Sequence, residues 1–261
     1  MLVDVNAYVG HWPFLQLPYN NCEGLLGRMD RFGVDISVVS NLNGIFYKNT
    51  QSANKELHDE LKSRKQFADR FIPFAVINPN YAGWRADLET STKKFGMKGV
   101  RIYPQYHDYA LHHPECVALL KRVRDKGLPV AISLRMVDYR QRSWMDLDNE
   151  WKLQDVMPAI REVPDGGYLI VNVANSMNLS ADDFALVQKA NVLFDTSGRA
   201  IGNPVAALTR FGKQKLAFGT QAPVLDYLTG LLRIEAMRDD EADEATKESL
   251  RSGNAKRFLK L

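Results

Sequence analysis

Short uninterrupted apolar runs alternate along this chain with longer stretches in which apolar residues recur every three or four positions. SVV at 37–39, PFAVI at 73–77, VAI at 130–132, YLIV at 168–171, VLF at 192–194 and LAF at 216–218 lack the polar alternation of a half-solvated strand. Such runs suit strands of a parallel sheet covered by helices on both faces. The pattern predicts strands at 2–5, 36–39, 71–77, 99–103, 129–134, 168–173, 192–195 and 215–219. It predicts helices between and after them at 22–32, 52–67, 84–95, 114–126, 151–163, 181–190, 204–211 and 224–237. Strict βα alternation points to a parallel α/β fold. Eight units of about 30 residues favour closure into a single (β/α)8 TIM barrel over residues 1–261.

The punctuation agrees with that rhythm. Gly33, Gly96, Gly127 and Gly212 follow helical patterns, where a left-handed residue ends a helix at least cost. Ser180 and Asn203 read as N-caps, the latter followed by Pro204. The charged stretch 239–250 reads as a tail helix with Asp239, Asp240 and Glu241 at its start, stopped by Gly253 before a last turn, NAKRFL.

Bulk properties narrow the function classes. The 34 Lys and Arg against 31 Asp and Glu leave a net charge of +3, with no basic stripe for nucleic acid. No apolar run approaches the ~20 residues of a membrane span. The start, MLVDVNAYVGHWPF, has no basic segment leading into a long apolar one, so a cytoplasmic location is expected. Cys22 and Cys116 lie far apart without CxxC spacing and are expected as free thiols.

In such a barrel the site lies at the carboxyl ends of the strands. The polar residues there are Asn6 and Tyr8; Asn41 and Asn43; Asn78; Tyr103, Gln105 and His107; Arg135, Asp138 and Arg140; Asn172 and Asn175; Asp195, Ser197 and Arg199; and Thr220 and Gln221. The set is rich in amides, tyrosines and arginines and poor in paired His and carboxylate. A catalytic zinc needs three or more ligands from His, Asp, Glu and Cys, and neutral amide oxygens serve it poorly.

Several segments in fixed order carry a resemblance: VDVNAYVGHWPF, DRFIPFAVINP, GVRIYPQYH, GLPVAI, YLIVN, LAFGTQAP and GNAKRFL. Together they resemble the amidohydrolase-related family, which includes decarboxylases of aromatic and related acids, over essentially the whole chain. The resemblance implies a barrel with a divalent metal that activates water or holds substrate, and association through outer helices into a homodimer. It also implies ligands this chain lacks. The His-x-His pair after the first strand falls on Asn6 and Tyr8. The His after the fifth falls near Ser133 to Arg135, that of the sixth on Asn172, and the Asp after the eighth on Gln221. No cofactor is therefore expected at the usual position. Zinc or manganese remains an alternative if the ligands are displaced onto His11, His107 and Asp138.

Two chemistries stay open. In one, Arg101, Tyr103, Arg135, Arg140, Asn172, Gln221, Asn6 and His11 bind a small polar or anionic molecule, since guanidinium groups recognise carboxylate or phosphate bidentately. Trp12, Tyr103, Tyr106 and Trp144 would wall the ligand. In the other, the protein is an active hydrolase or carboxy-lyase in which His107 and Asp138 act as a metal-free acid–base pair. The arginines of RMVDYRQRSW, with Asp138, could equally be an ion-pair network that orders a long loop. No GxSxG elbow or GxGxxG loop is present.

Overall fold

The computed structural model describes residues 1–137, 142–147, 151–173, 177–198 and 203–261. Eight parallel strands lie side by side in chain order: β1 (Val3–Val9), β2 (Ile36–Asn41), β3 (Phe71–Val76), β4 (Gly99–Ile102), β5 (Pro129–Ser133), β6 (Gly167–Val171), β7 (Asn191–Asp195) and β8 (Leu216–Ala217). The (β/α)8 expectation holds. The main chain just past β8 closes the ring onto β1. Val5 N donates to Phe218 O (3.0 Å), Gln221 N to Asn6 O (2.6 Å) and Tyr8 N to Ala222 O (2.8 Å). The Asp4 carboxyl reinforces this seam, accepting from Thr220 N (3.0 Å), Thr220 Oγ1 (2.5 Å) and Asn6 N (2.9 Å).

Helices flank the strands: α1 (Cys22–Phe32), α2 (Asn43–Phe46), α3 (Thr50–Ser63), α4 (Lys65–Arg70), α5 (Trp84–Lys93), α6 (Pro114–Asp125), α7 (Leu153–Glu162), α8 (Ala181–Lys189), α9 (Asn203–Phe211) and α10 (Tyr227–Glu235). Their apolar faces meet the outward residues of the strands. Leu25 and Met29 of α1 and Val156 and Ile160 of α7 share one cluster with Val100, Ile102, Ile132, Ile170 and Phe194. Each such side chain contributes roughly 1.5–3 kcal/mol when fully buried, so this layer supplies most of the driving force. The inward residues Val3, Val5, Val38, Phe74, Ala131, Leu169, Leu193 and Ala217 fill the floor of the barrel, with Ala255 and Phe258 packed among them.

The tail departs from expectation. Residues 239–243 precede the helix rather than starting it. Asp243 caps α11 (Glu244–Glu248) by accepting from Thr246 N (2.8 Å). The chain then runs through Gly253 without stopping, as a π turn (Ser249–Gly253) leading into α12 (Asn254–Leu259). Tertiary bonds explain this. Asn254 Nδ2 donates to Lys213 O (2.6 Å) and Leu216 O (2.7 Å), which pins the segment beneath β8 and overrides the glycine's weak helix propensity. The short α2 is also an addition. Arg64, extended at φ −146°, splits the predicted second helix into α3 and α4.

One irregularity shapes the mouth. β1 pairs in register with β2 up to Asp4, and the register shifts before Ala7. Val3 and Val5 belong to the barrel floor, whereas Ala7 and Val9 pack outward with the helices. The bulge inverts the strand's alternation, so that Asn6 and Tyr8 enter the barrel.

Candidate functional site

Above the apolar floor the barrel interior turns polar. Arg101 is the third residue of β4, and its neighbours Val100 and Ile102 face the helices, so strand alternation directs the arginine inward. It is fully buried. Its Nη1 donates to Asn6 Oδ1 (2.7 Å) and Tyr8 Oη (2.5 Å), and its Cζ lies 4.5 Å from the centre of the Tyr8 ring. A buried guanidinium needs both charge-dipole partners and a polarisable face, and the two side chains re-aimed by the bulge supply them.

The Asn6 carboxamide passes this interaction across the barrel. Its Nδ2 donates to Asp195 Oδ2 (2.8 Å) and Ser197 Oγ (3.2 Å). Asp195 is the last residue of β7 and has no exposed surface. It also accepts from Ser197 Oγ and from Asn172 N (2.8 Å). Gly219 makes room for it, since a Cβ there would stand 2.7 Å from Asp195 Cβ. Asn172 and Gln221 both adopt left-handed backbone conformations, with φ of 57° and 61°. They turn the chain at the ends of β6 and β8. Asn172 Nδ2 donates to Arg135 O (2.7 Å), and Arg135 Nη2 donates to Gly198 O (3.0 Å) and Asn172 Oδ1 (3.5 Å). Gln221 Nε2 donates to Met136 O, and its Oε1 accepts from Ser197 Oγ (3.4 Å).

The structure thus gathers Asn6, Arg101, Tyr103, Arg135, Asn172 and Gln221 at one level of the barrel. Around them stand Leu42, Ile45, Val76 and Met136, and the loops of the mouth bring Trp12, Phe14, Phe46 and Tyr106 into mutual edge-to-face contact. Trp144, expected in this wall, is 91% exposed and takes no part in it. Asp138 and Arg140, with Asn175 and Arg199, lie outside the described residues.

Of the two candidate histidines, only His107 adjoins this layer. His11 is exposed, with Nδ1 3.0 Å from Asn20 Nδ2. His107 is buried beside Tyr103 and Tyr109, and its Nε2 is 3.2 Å from Gly44 O. A carbonyl only accepts, so Nε2 carries the proton. Burial lowers the ring's pKa to about 4, against a smaller opposing effect of the hydrogen bonds to Gly44 and Ile45, and the ring is neutral at pH 7.

Sequence reasoning placed Asp195 and Ser197 at strand ends without giving them a role, and in the structure they form the hub of the network. The available signal was period two. Leu193 faces inward, so Asp195 does too.

As a metal site the donor set is poor. Among the described residues no group of three or more His, Cys, Asp and Glu could hold an ion. The polar atoms of Asn6 and Tyr8 converge on a guanidinium nitrogen instead. Nor is any described helix long and apolar enough to cross a membrane.

No protein-family model matches the chain, and no curated protein matches it in sequence. Solved structures do match in shape. The 2,6-dihydroxybenzoate decarboxylase from Rhizobium superposes with a TM-score of 0.75 at 14% identity, covering 99% of this chain and 98% of that one. A dihydroxybenzoic acid decarboxylase from Polaromonas sp. JS666, with bound manganese and 2-nitroresorcinol, gives 0.75 at 13% identity, covering 100% and 97%. The 5-carboxyvanillate decarboxylase from Novosphingobium aromaticivorans, complexed with manganese and 4-hydroxy-3-methoxy-5-nitrobenzoic acid, gives 0.76 at 14% identity, covering 100% and 96%. The chain therefore has the barrel fold of these decarboxylases, end to end.

Proposed function

We propose that this barrel binds a small polar or anionic molecule at its mouth and does so without the manganese that two of the matching structures hold. One observation carries the reading: Arg101 Nη1 lies where Asn6 Oδ1 and Tyr8 Oη converge, at 2.7 and 2.5 Å. These two residues stand where the resemblance puts a metal-binding His pair. A fixed guanidinium there repels a divalent cation and attracts an anion, and in a buried setting that bias is strong. Arg135 adds a second positive charge, and Asp195 is already supplied with three donors. The bands of the mouth offer Tyr103, Asn172 and Gln221 as further hydrogen-bonding groups.

The neighbours' names give a second reading, in which the same mouth performs hydrolase or carboxy-lyase chemistry through His107 and Asp138. With the Nε2 proton held on the Gly44 carbonyl, Nδ1, buried and without a hydrogen-bond partner among the described residues, would be the nitrogen that accepts a proton.

Metal analysis of protein purified without chelator, paired with a thermal-shift screen of small acids, amides and polyols, tests the proposal. We expect less than a tenth of an equivalent of zinc or manganese, about what adventitious ions give. We also expect stabilisation by acids that Arg135→Ala reduces. Stoichiometric metal that resists dialysis would refute it.

A further inference from the structure

Resting on the anionic-ligand reading, we infer that the Nε–Nη2 edge of Arg101, together with the Tyr103 hydroxyl, is a subsite for a planar carboxylate. The guanidinium uses only one of its nitrogens in the fold. Nη1 takes both Asn6 and Tyr8, while Nε and Nη2 are buried with no hydrogen-bond partner among the described residues. The Tyr103 hydroxyl, on the loop directly after β4, is in the same condition. It faces both Arg101 and Tyr8. Three buried donors at one place, two of them on a cation, are an unusual deficit. Each left without an acceptor costs roughly 1–3 kcal/mol, and more when charged.

The shape of the deficit selects the ligand. The Nε and Nη2 hydrogens point in parallel from one edge of a rigid plane, and that spacing matches the two oxygens of a carboxylate. A phosphonate can bridge the same two hydrogens, but it carries a third oxygen and up to two charges into a site with one guanidinium edge, which raises its desolvation cost. A neutral amide offers a single acceptor and would bring its own NH2 donors against N–H. The plane itself is held by the Tyr8 ring beneath Cζ and by the two bonds to Nη1, so the edge is already oriented. The rest of the ligand would meet an apolar wall, since Val76, Met136, Leu42 and Trp12 cluster with Tyr8 and Tyr103. The inferred ligand is a monocarboxylate on a small apolar body.

Isothermal titration of the full chain with acetate, propionate, isobutyrate and benzoate, against isobutyramide and methylphosphonate, tests this. At least one carboxylate should bind saturably, with the amide and phosphonate weaker by about tenfold or more. Tyr103→Phe should weaken the carboxylate by about tenfold while leaving the melting temperature close to wild type, since its hydroxyl lies near Arg101 and Tyr8 without a well-formed hydrogen bond to either. Arg101→Lys keeps the charge but loses the edge and should weaken the carboxylate by about tenfold or more. If that variant does not fold, the Tyr103→Phe titration decides. Unchanged carboxylate affinity in Tyr103→Phe, or equal binding of acid and amide, would overturn the inference. Anion binding that Arg135→Ala abolishes and Tyr103→Phe leaves intact would sink the Arg101 subsite alone. No binding of any anion would sink the broader reading with it.

Discussion

Arg101 and Asp195, on strands β4 and β7, are joined across the barrel by a single carboxamide: Asn6 Oδ1 accepts from the arginine at 2.7 Å and Asn6 Nδ2 donates to the aspartate at 2.8 Å. An amide is an uncharged side chain that answers a cation with its oxygen and an anion with its nitrogen. The arrangement fixes which end of Asn6 points where, and it lets two buried charges of opposite sign stabilise each other without touching.

Asn6→Asp should therefore be harmful in a pH-dependent way. It places a second carboxylate oxygen where Nδ2 donated to Asp195, and two carboxylates so close cannot both ionise. We expect a melting temperature lower by about 5 °C at pH 8, corresponding to ~1–3 kcal/mol, with recovery towards pH 5 as one shared proton bridges the pair. Asn6→Leu should lose a similar amount with no such recovery. Melting curves at several pH values separate the two, and a pH-independent loss in Asn6→Asp would contradict the bridge.

Asp4 and His107 should tilt stability in opposite directions. Burial raises the Asp4 carboxyl from 3.8 to about 7, against the donors from Thr220 and Asn6. The folded state thus holds a proton there that the unfolded chain releases, so this contribution is full below pH 3.8 and is lost as pH rises through about 7. Burial lowers His107 from 6.5 to about 4, so its contribution is full above pH 6.5 and is lost as pH falls through about 4. Relative to wild type, Asp4→Asn should improve as pH rises from 4 to 7, and His107→Gln should improve as pH falls from 6.5 to 4. Parallel slopes for the two variants would show that one assignment is wrong.

Gly198→Ala should be severely destabilising. Gly198 has φ +69°, and a Cβ built on it would lie 1.6 Å from Asn172 Oδ1, against the amide that engages Arg135. Strain and displacement together should cost more than about 2 kcal/mol. Gly27, an exposed residue of α1 with nothing near its missing Cβ, is the control. Gly27→Ala should be neutral or stabilising by roughly 0.5–1 kcal/mol. Chemical denaturation of the two variants provides the comparison.

The barrel was legible in the sequence because its strands are buried on both faces and its helices begin and end on ordinary signals. Gly33 adopts φ 68° after α1, and the Ser180 side chain accepts from Asp183 N before α8. Asn172 and Gln221 were placed by strand ends alone, whereas Arg101 entered only as an arginine within the strand beside the arginine-rich stretch. What a linear reading could not supply is orientation. Nothing in VDVNAYV marks the register shift that turns Asn6 and Tyr8 inward. Nothing in QYHDY shows that the imidazole of His107 tucks against the Gly44 carbonyl rather than facing the barrel axis. Gly253 failed as a stop because the bonds that hold Asn254 are long-range.

The irregular pairing in β1 works as a phase switch. Below it the strand contributes valines to the floor, and above it the opposite parity delivers an amide and a phenol to the rim, so one strand serves two unlike environments without changing its hydrophobic rhythm. Were the same sequence to pair regularly along its whole length, the two sets would exchange: Ala7 and Val9 would line the chamber, and the groups that now embrace Arg101 would be driven into the oily shell beneath the helices. The identity of the chamber rests on a count of residues as much as on their kinds.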